Sequence, residues 1–240
     1  MHMNRRPGES GLSMIELIIA TAISLILVAG VYRVFISSTI TYRDQDTLAR
    51  LQENVRTAMD VLAREIRMAG SPRFTIDGAA FTGTPVTLTD CGAANCSDTV
   101  AVQYLNNIGN LTTVTFSVVV DPTAGPVLRL TDALSPATSG AVVDGVENMQ
   151  VLLGLDSNAD GSVDSYGTAI PAGNTVIAVR VRLLMRTTAE SSEAPSVAQT
   201  WDVDGDGNAV AGTPGNFTPV ADRRTRRIFT TTLTLRNQLQ

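Results

Sequence analysis

Apolar residues are distributed in three different ways along the chain, and each way predicts a different kind of structure. The first is an uninterrupted run over the 21 residues 12–32, in which Glu16 is the only charged residue. At about 1.5 Å per residue, a helix of this length extends roughly 30 Å, which is the thickness of a bilayer core. The run therefore predicts a membrane-spanning helix.

The second distribution is a stripe. Beyond Arg33, apolar residues recur three or four positions apart, which places them on one face of a helix; they are Leu48, Leu51, Val55, Ala58, Leu62, Ile66 and Ala69. Gly70 and Pro72 then stop the helix. We predict one helix that runs from the membrane to about Met68 and whose outer half packs on a domain.

The third distribution is an alternation of apolar and polar residues in short runs rich in β-branched side chains. Such runs predict strands, and they cover residues 99–104, 112–120, 127–131, 142–153, 175–186 and 228–235. A long helix followed by a meander of strands is typical of an α+β protein. We therefore expect a long N-terminal helix packed on a mostly antiparallel β-sheet head.

Charge adds an orientation and excludes a class of partner. The formal net charge is −5, which argues against nucleic-acid binding because neutralising phosphates requires a basic surface. The basic cluster Arg223, Arg224, Arg226 and Arg227 is interpreted as an exposed approach to the last strand. Arg5 and Arg6 precede the apolar run, so the N-terminus should stay in the cytoplasm and the rest should lie outside the inner membrane.

The two cysteines, Cys91 and Cys96, are separated by four residues. A structural zinc site needs four ligands, and the single histidine, His2, cannot complete one with them. We predict a short loop closed by a disulfide, which requires an oxidising compartment. Two free thiols are the alternative.

The stretch "GLSMIEL", residues 11–17, resembles the N-terminal processing motif of type IV pilins and of the pseudopilins of type II secretion. The resemblance implies that residues 1–11 are a leader. A prepilin peptidase would cut between Gly11 and Leu12 and methylate the new amine. Glu16 would then pair with the N-terminal amine of a neighbouring subunit, because a charge in the membrane needs a partner or a function. The alternative is that Glu16 extends to the membrane interface.

Two further stretches are similar to minor pilins of the PilW type. They are "LARLQENVRTAMDVLAREIRMAGS", residues 48–71, and "VDGVENMQVLLGLDSNADGSVDSY", residues 143–166, in which Leu153-Gly154 stands where that family has Tyr-Gly. The resemblance implies a minor pilin that helps to start assembly of a type IV pilus and sits at its tip. The expected partners are other minor pilins, the major pilin, the prepilin peptidase and, before assembly, inner-membrane lipid.

The domain boundaries follow from these patterns. We expect a leader over residues 1–11, a membrane and filament-core helix over 12–36, an amphipathic continuation over 37–70, and a β-rich periplasmic head over 71–240. Three other functions fit a similar architecture: a J-type pseudopilin of a type II secretion system, an adhesin carried at a filament tip, and a membrane protein with a single span and no role in a filament.

The chemistry of the remaining residues favours binding over catalysis. With His2 in the predicted leader, no histidine is left to act as a general base, and we expect no enzymatic activity and no required cofactor. Two acidic loops carry oxygen ligands at alternate positions, as weak calcium sites do: Asp156, Asn158, Asp160, Ser162 and Asp164 in the first, and Asp202, Asp204, Asp206 and Asn208 in the second. We rank the first loop higher because its alternation continues to its ninth position; for both loops, the alternative is an Asx-rich turn.

Overall fold

The computed structural model describes residues 13–71, 81–106, 109–134, 139–191, 196 and 198–238. The chain divides into two compact units, residues 1–46 and residues 47–240. The predicted processing site at Gly11 and Leu12 lies outside the described residues, as do Arg5 and Arg6.

A single helix, α1 (Met14–Met68), contains 55 residues. Its N-terminal part is long and apolar enough to cross a membrane, and the side chains of that part are not buried. The helix ends where the sequence predicts. Gly70 adopts a positive φ of 70°, and its N–H donates to the carbonyl of Gln103, so the chain turns away from the helix axis.

In the second unit, the predicted stripe of α1 is buried. Leu51, Ala58, Leu62 and Ile66 are at most 3 % exposed, and they join a core to which strands from two sheets contribute. Each fully buried leucine or isoleucine of the stripe contributes about 1.5–3 kcal/mol through removal from water.

The first sheet is a five-stranded antiparallel meander in the order β1-β2-β3-β4-β5. Its strands are β1 (Val86–Thr89), β2 (Thr99–Leu105), β3 (Leu111–Asp121), β4 (Gly125–Asp132) and β5 (Gly140–Asp144). Alternate residues of β2 and β3, such as Val100 and Phe116, which lie opposite each other, point into the core. This alternation explains why the pattern of the sequence identified both strands.

The second sheet is also antiparallel. It contains β6 (Val146–Asp156), β7 (Ser165–Gly167) and β8 (Thr175–Arg186); a separate two-stranded ribbon follows, formed by β9 (Trp201–Asp202) and β10 (Asn216–Phe217), and then β11 (Arg226–Thr234) returns to the sheet. The order in the sheet is β11-β8-β6-β7, so the last strand of the chain pairs with β8. A short 3₁₀ helix at Arg236–Gln238 follows.

The prediction of one strand over residues 142–153 was wrong. This segment forms two strands that belong to different sheets, and Gly145 separates them with a φ of +84°. A Cβ at this position would lie 2.5 Å from the carbonyl oxygen of Arg186, so the close approach of β8 requires glycine here. The glycine lets the chain leave the first sheet and enter the second.

Candidate functional site

Glu16 lies in the first turn of α1, on a helix whose apolar side chains face outward all round. Ile15, Leu17, Ile18 and Ile19 next to it are each more than half exposed. A helix that is apolar on every face needs lipid or other apolar helices around it. The carboxylate therefore lies in an apolar surface that must become covered, and its predicted role in assembly stays a prediction.

Two hydroxyl groups of this part of α1 are satisfied within the helix. Thr21 donates to the carbonyl of Ile18 at 2.9 Å and Ser24 donates to that of Ala20 at 2.7 Å. Polar groups bonded in this way do not need water, which suits a helix in an apolar environment.

Cys91 and Cys96 form a disulfide, so the predicted bond is confirmed. Polar side chains of β6 bind the loop that it closes. The amide groups of Asn148 and Gln150 donate to the carbonyl of Cys96 at 2.8 and 3.0 Å. Both side chains come from the "VENMQ" stretch that resembles the PilW pattern, and both residues are buried.

Asp98 completes this attachment. Its carboxylate accepts hydrogen bonds from the backbone N–H groups of Cys91 and Val151. Burial, with a smaller effect of the nearby Asp90 carboxylate, raises the pKa of Asp98 above its usual value. The disulfide loop is thus fixed to β6 through main-chain and side-chain contacts, and it covers the polar face of that strand.

A buried group of charges joins β6, β8 and β11. Arg226 binds Glu147 through two hydrogen bonds of 2.7 and 3.0 Å and binds Asp222 at 2.6 Å. Arg186 also reaches Glu147, at 3.1 Å. Burial works against ionisation of Arg226, but the hydrogen bonds that it donates to Asp222 and Glu147 prevail and raise its pKa.

The same contacts act on Asp222 in the opposite direction. Partial burial would raise the pKa of its carboxyl group, but hydrogen bonds from Arg226 and from the backbone of Arg224 lower it. Arg226 is 8 % exposed, so the interpretation of the arginine cluster as wholly exposed was wrong for this residue. It is buried because Glu147 and Asp222 neutralise it.

In the first acidic loop, the carboxylates accept hydrogen bonds from nearby N–H groups of the loop itself. Asp156 accepts hydrogen bonds from the backbone of Asn158, Ala159 and Gly161. The hydroxyl and the backbone N–H of Ser157 donate to Asp164, and they lower the pKa of that carboxyl group. The Asp160 carboxylate accepts from the amide of Asn158. Such contacts are those of an Asx-rich turn.

In the second acidic loop, backbone N–H groups also donate to the carboxylates of Asp202, Asp204 and Asp206, but here the three carboxylates converge. One carboxylate oxygen from each of Asp202, Asp204 and Asp206 lies within 4.8 Å of the other two. The three side chains are therefore close enough together to be potential ligands of one metal ion. The second loop, which the sequence ranks lower, therefore has the closer carboxylates, and calcium binding at the first loop stays a prediction. Gly215 makes the convergence possible, because a Cβ there would overlap the Asp204 carboxylate.

Two family profiles match the chain. The profile of the type IV pilus-assembly protein W, PilW, matches residues 115–237, which is half of the chain. The chain belongs to the PilW family. A second profile, the prokaryotic N-terminal methylation motif, matches residues 6–32. The PilW match contains the strands that hold the disulfide loop and the buried charges, and the methylation motif contains Gly11, Leu12 and Glu16.

A solved structure supports the pilin fold. A type IV-like pilin from Thermus thermophilus aligns with a TM-score of 0.52 and 18% sequence identity, over 80% of this chain and 99% of that chain. No curated protein matches the chain. The expected architecture, one long apolar N-terminal helix with antiparallel sheets, is confirmed for this PilW-family chain.

Sequence reasoning missed the pairing of Glu147 with Arg226 in this PilW-family chain. The two residues are 79 positions apart, so no local pattern connects them. The available signal was Glu147 within the predicted strand 142–153 and a basic cluster just before the predicted strand 228–235, because a charge that is buried in a sheet requires an opposite charge. The ribbon of β9 and β10 was missed since each strand contains only two residues.

Proposed function

We propose that this protein is a minor pilin that helps to start assembly of a type IV pilus and remains at the pilus tip. The single observation that carries the proposal is the presence of both matches on one chain: the PilW profile over residues 115–237 and the methylation motif over residues 6–32. A type IV pilin-like chain with a PilW head is consistent with a minor pilin.

Processing would precede assembly. We propose that a prepilin peptidase cleaves between Gly11 and Leu12 and methylates the amine of Leu12. Before assembly, the apolar part of α1 would anchor the protein in the inner membrane, with the head in the periplasm. The disulfide between Cys91 and Cys96 supports this location, since such bonds persist in oxidising compartments.

The protein would act by packing and not by catalysis. Its apolar helix surface around Glu16 offers contacts to the helices of other minor pilins and of the major pilin. In the head, the buried charges of Glu147 and Arg226 bind each other, an arrangement that suits a structural role better than proton transfer. The protein would require no cofactor for this role.

Deletion of the gene tests the proposal. We expect few or no surface pili by electron microscopy and loss of pilus-dependent motility, and both should return when the wild-type gene is supplied. Antibody labelling of an epitope-tagged head should mark filament ends. Normal pilus numbers in the deletion strain would contradict the proposal, and loss of protein secretion instead of pili would indicate the pseudopilin alternative.

A further inference from the structure

Three carboxylates lie close together at the end of β9 and in the loop that connects it to β10. Asp202, Asp204 and Asp206 alternate along the chain, and their carboxylate oxygens lie within 4.8 Å of one another. The backbone N–H groups of Gly205 and Gly207 donate to the two carboxylate oxygens of Asp202 and hold this side chain in the loop.

An amide oxygen without a hydrogen-bond partner among the described residues belongs to the residue opposite Asp202 in the ribbon. Asn216 is the residue directly opposite Asp202 in the ribbon, and residues directly opposite in an antiparallel pair present their side chains to the same face. Asn216 is 3% exposed, and its Oδ1 has no hydrogen-bond partner among the described residues. A buried acceptor of this kind is costly unless something else binds it.

The rest of the Asn216 side chain fixes its direction. Its Nδ2 donates to the carbonyl of Val210 at 3.2 Å and also to that of Asn208, both of which belong to the acidic loop or directly follow it. The amide group is therefore held against the loop. The loop consequently presents three carboxylates and one buried neutral oxygen from the opposite strand.

We propose that Asp202, Asp204, Asp206 and the Oδ1 of Asn216 bind a calcium ion. Oxygen donors at alternate positions of a short acidic loop suit calcium, which takes six to eight oxygen ligands. The proposal does not depend on the assembly function. It also goes beyond the sequence pattern, because Asn216 lies outside the alternating motif and was found through the register of the ribbon.

A neighbouring cation sets the expected strength of binding. The guanidinium group of Arg182 lies next to the loop, where its Nη1 donates to the carbonyl of Val203 at 3.4 Å. This charge offsets part of the attraction of the three carboxylates for a divalent ion. We therefore expect a dissociation constant of about 10⁻⁴–10⁻³ M, as in other extracellular calcium modules.

Terbium luminescence provides a direct test on the full-length protein, purified in detergent and freed of metal with a chelator. Trp201 is the only tryptophan of the chain and immediately precedes Asp202, so a terbium ion in the loop should be sensitised by excitation of this indole. We expect saturable luminescence that calcium displaces. Magnesium at the same concentration should displace it less, because this smaller ion requires octahedral geometry.

Substitutions locate the ion. Asp206→Asn should weaken binding by about tenfold and Asn216→Ala by about threefold, since affinity follows ligand number and charge. The matched control is Asp160→Asn in the first acidic loop, which should bind like the wild type; circular dichroism confirms that each variant is folded. Absence of calcium-displaceable luminescence, or loss with Asp160→Asn and not with Asp206→Asn, would overturn the proposal.

Discussion

Glu65 is a buried carboxylate on the face of α1 that packs on the sheets, where the other buried residues of the helix are apolar. The hydroxyl of Tyr104 on β2 donates to its Oε2 at 3.0 Å, and Arg64 binds Oε1 at 3.0 Å. Because Arg64 is mostly exposed, Tyr104 is the partner that reaches Glu65 from within the fold. The pair links the helix to the first sheet.

We predict that Tyr104→Phe lowers stability at neutral pH by about 1–3 kcal/mol, because a buried carboxylate loses a hydrogen bond. The matched control is Tyr42→Phe. Tyr42 is an exposed tyrosine on α1, the helix that contains Glu65, and loss of its hydroxyl should leave the stability unchanged. Thermal unfolding of the full chain in detergent, followed by circular dichroism, measures both. Equal stability of Tyr104→Phe and the wild type would show that Glu65 is satisfied without this contact.

The same substitution should remove a dependence on alkaline pH. Burial, and then the negative charge of Glu65, raise the pKa of Tyr104 from 10.0 to about 12. The folded state therefore holds this proton more tightly than the unfolded state, so the resulting stability is complete below pH 10 and is lost as the pH rises towards 12. Between these values, the wild type should lose more stability than Tyr104→Phe, and parallel decreases would contradict the assignment.

At the scale of elements, β6 has one face in the core and a second, polar face that the disulfide loop covers. Met149, Val151 and Leu153 belong to the core. Asn148 and Gln150, which alternate with them, bind the carbonyl of Cys96. The strand is therefore buried on both faces, and the polar residues of the PilW-like "VENMQ" stretch have a structural explanation.

Glu147 and Arg226 extend this connection from β6 to β11, which lie on either side of β8. We predict that Arg226→Met destabilises the protein by about 3–5 kcal/mol, because Glu147 and Asp222 keep their charges without their main partner. The double variant Glu147→Gln with Arg226→Met should be less destabilised than the sum of the single variants, since it no longer leaves the buried charge of Glu147 without Arg226. Urea unfolding of all four proteins gives the coupling energy.

A matched control for this cycle is Arg227→Met, because Arg227 is exposed and follows Arg226 in the same strand. It should change stability by less than about 0.5 kcal/mol, as surface substitutions usually do. If the effects of Glu147→Gln and Arg226→Met on stability were additive, the two residues would contribute independently. The buried ion pair would then not be what holds β6 and β11 together.

How far the sequence predicts these elements depends on whether their signals are local. The end of α1 at Met68 and the bounds of β8 (Thr175–Arg186) were predicted correctly, because periodicity and stop residues lie within the elements themselves. The break at Gly145 was missed because an apolar pattern continues across it. Its cause is the approach of Arg186, which is distant in sequence.

The candidate sites divide in the same way. The disulfide could be predicted because it requires two nearby cysteines and nothing else. The two acidic loops looked alike in sequence, and their difference depends on distant residues: Gly215 makes room for Asp204, and Asn216 lies opposite Asp202. A sequence pattern identifies potential ligands, but the register of a second strand determines which of them converge.

At the scale of the whole molecule, the two units differ in what stabilises them. Residues 47–240 have a core of their own, to which α1 and both large sheets contribute. The apolar segment of α1 in residues 14–32 has no buried side chain among the described residues. This segment must therefore be stabilised by lipid or by other subunits, and Glu16 is the charge that it carries into that environment.

We predict that Glu16→Ala leaves membrane insertion and removal of the leader intact, because neither requires a carboxylate, but strongly reduces the number of pili. An ionised glutamate in the membrane costs at least about 2.5 kcal/mol, so the wild-type residue needs a compensating contact, which we propose is the amine of Leu12 in a neighbouring subunit. Removing one member of a buried pair typically costs about 3–5 kcal/mol. Intact mass, membrane level and pilus number are measured separately in a deletion strain.

Two further variants separate charge from packing. Glu16→Gln keeps the shape and the hydrogen-bonding capacity of the side chain, so it should fail almost as severely as Glu16→Ala if the charge is what the neighbouring amine recognises. Ser24→Ala, which removes a hydroxyl already satisfied by the carbonyl of Ala20, should assemble normally. Wild-type pilus numbers with Glu16→Ala would show that the carboxylate reaches the membrane interface and makes no contact needed for assembly, whereas a retained leader would place its role in processing.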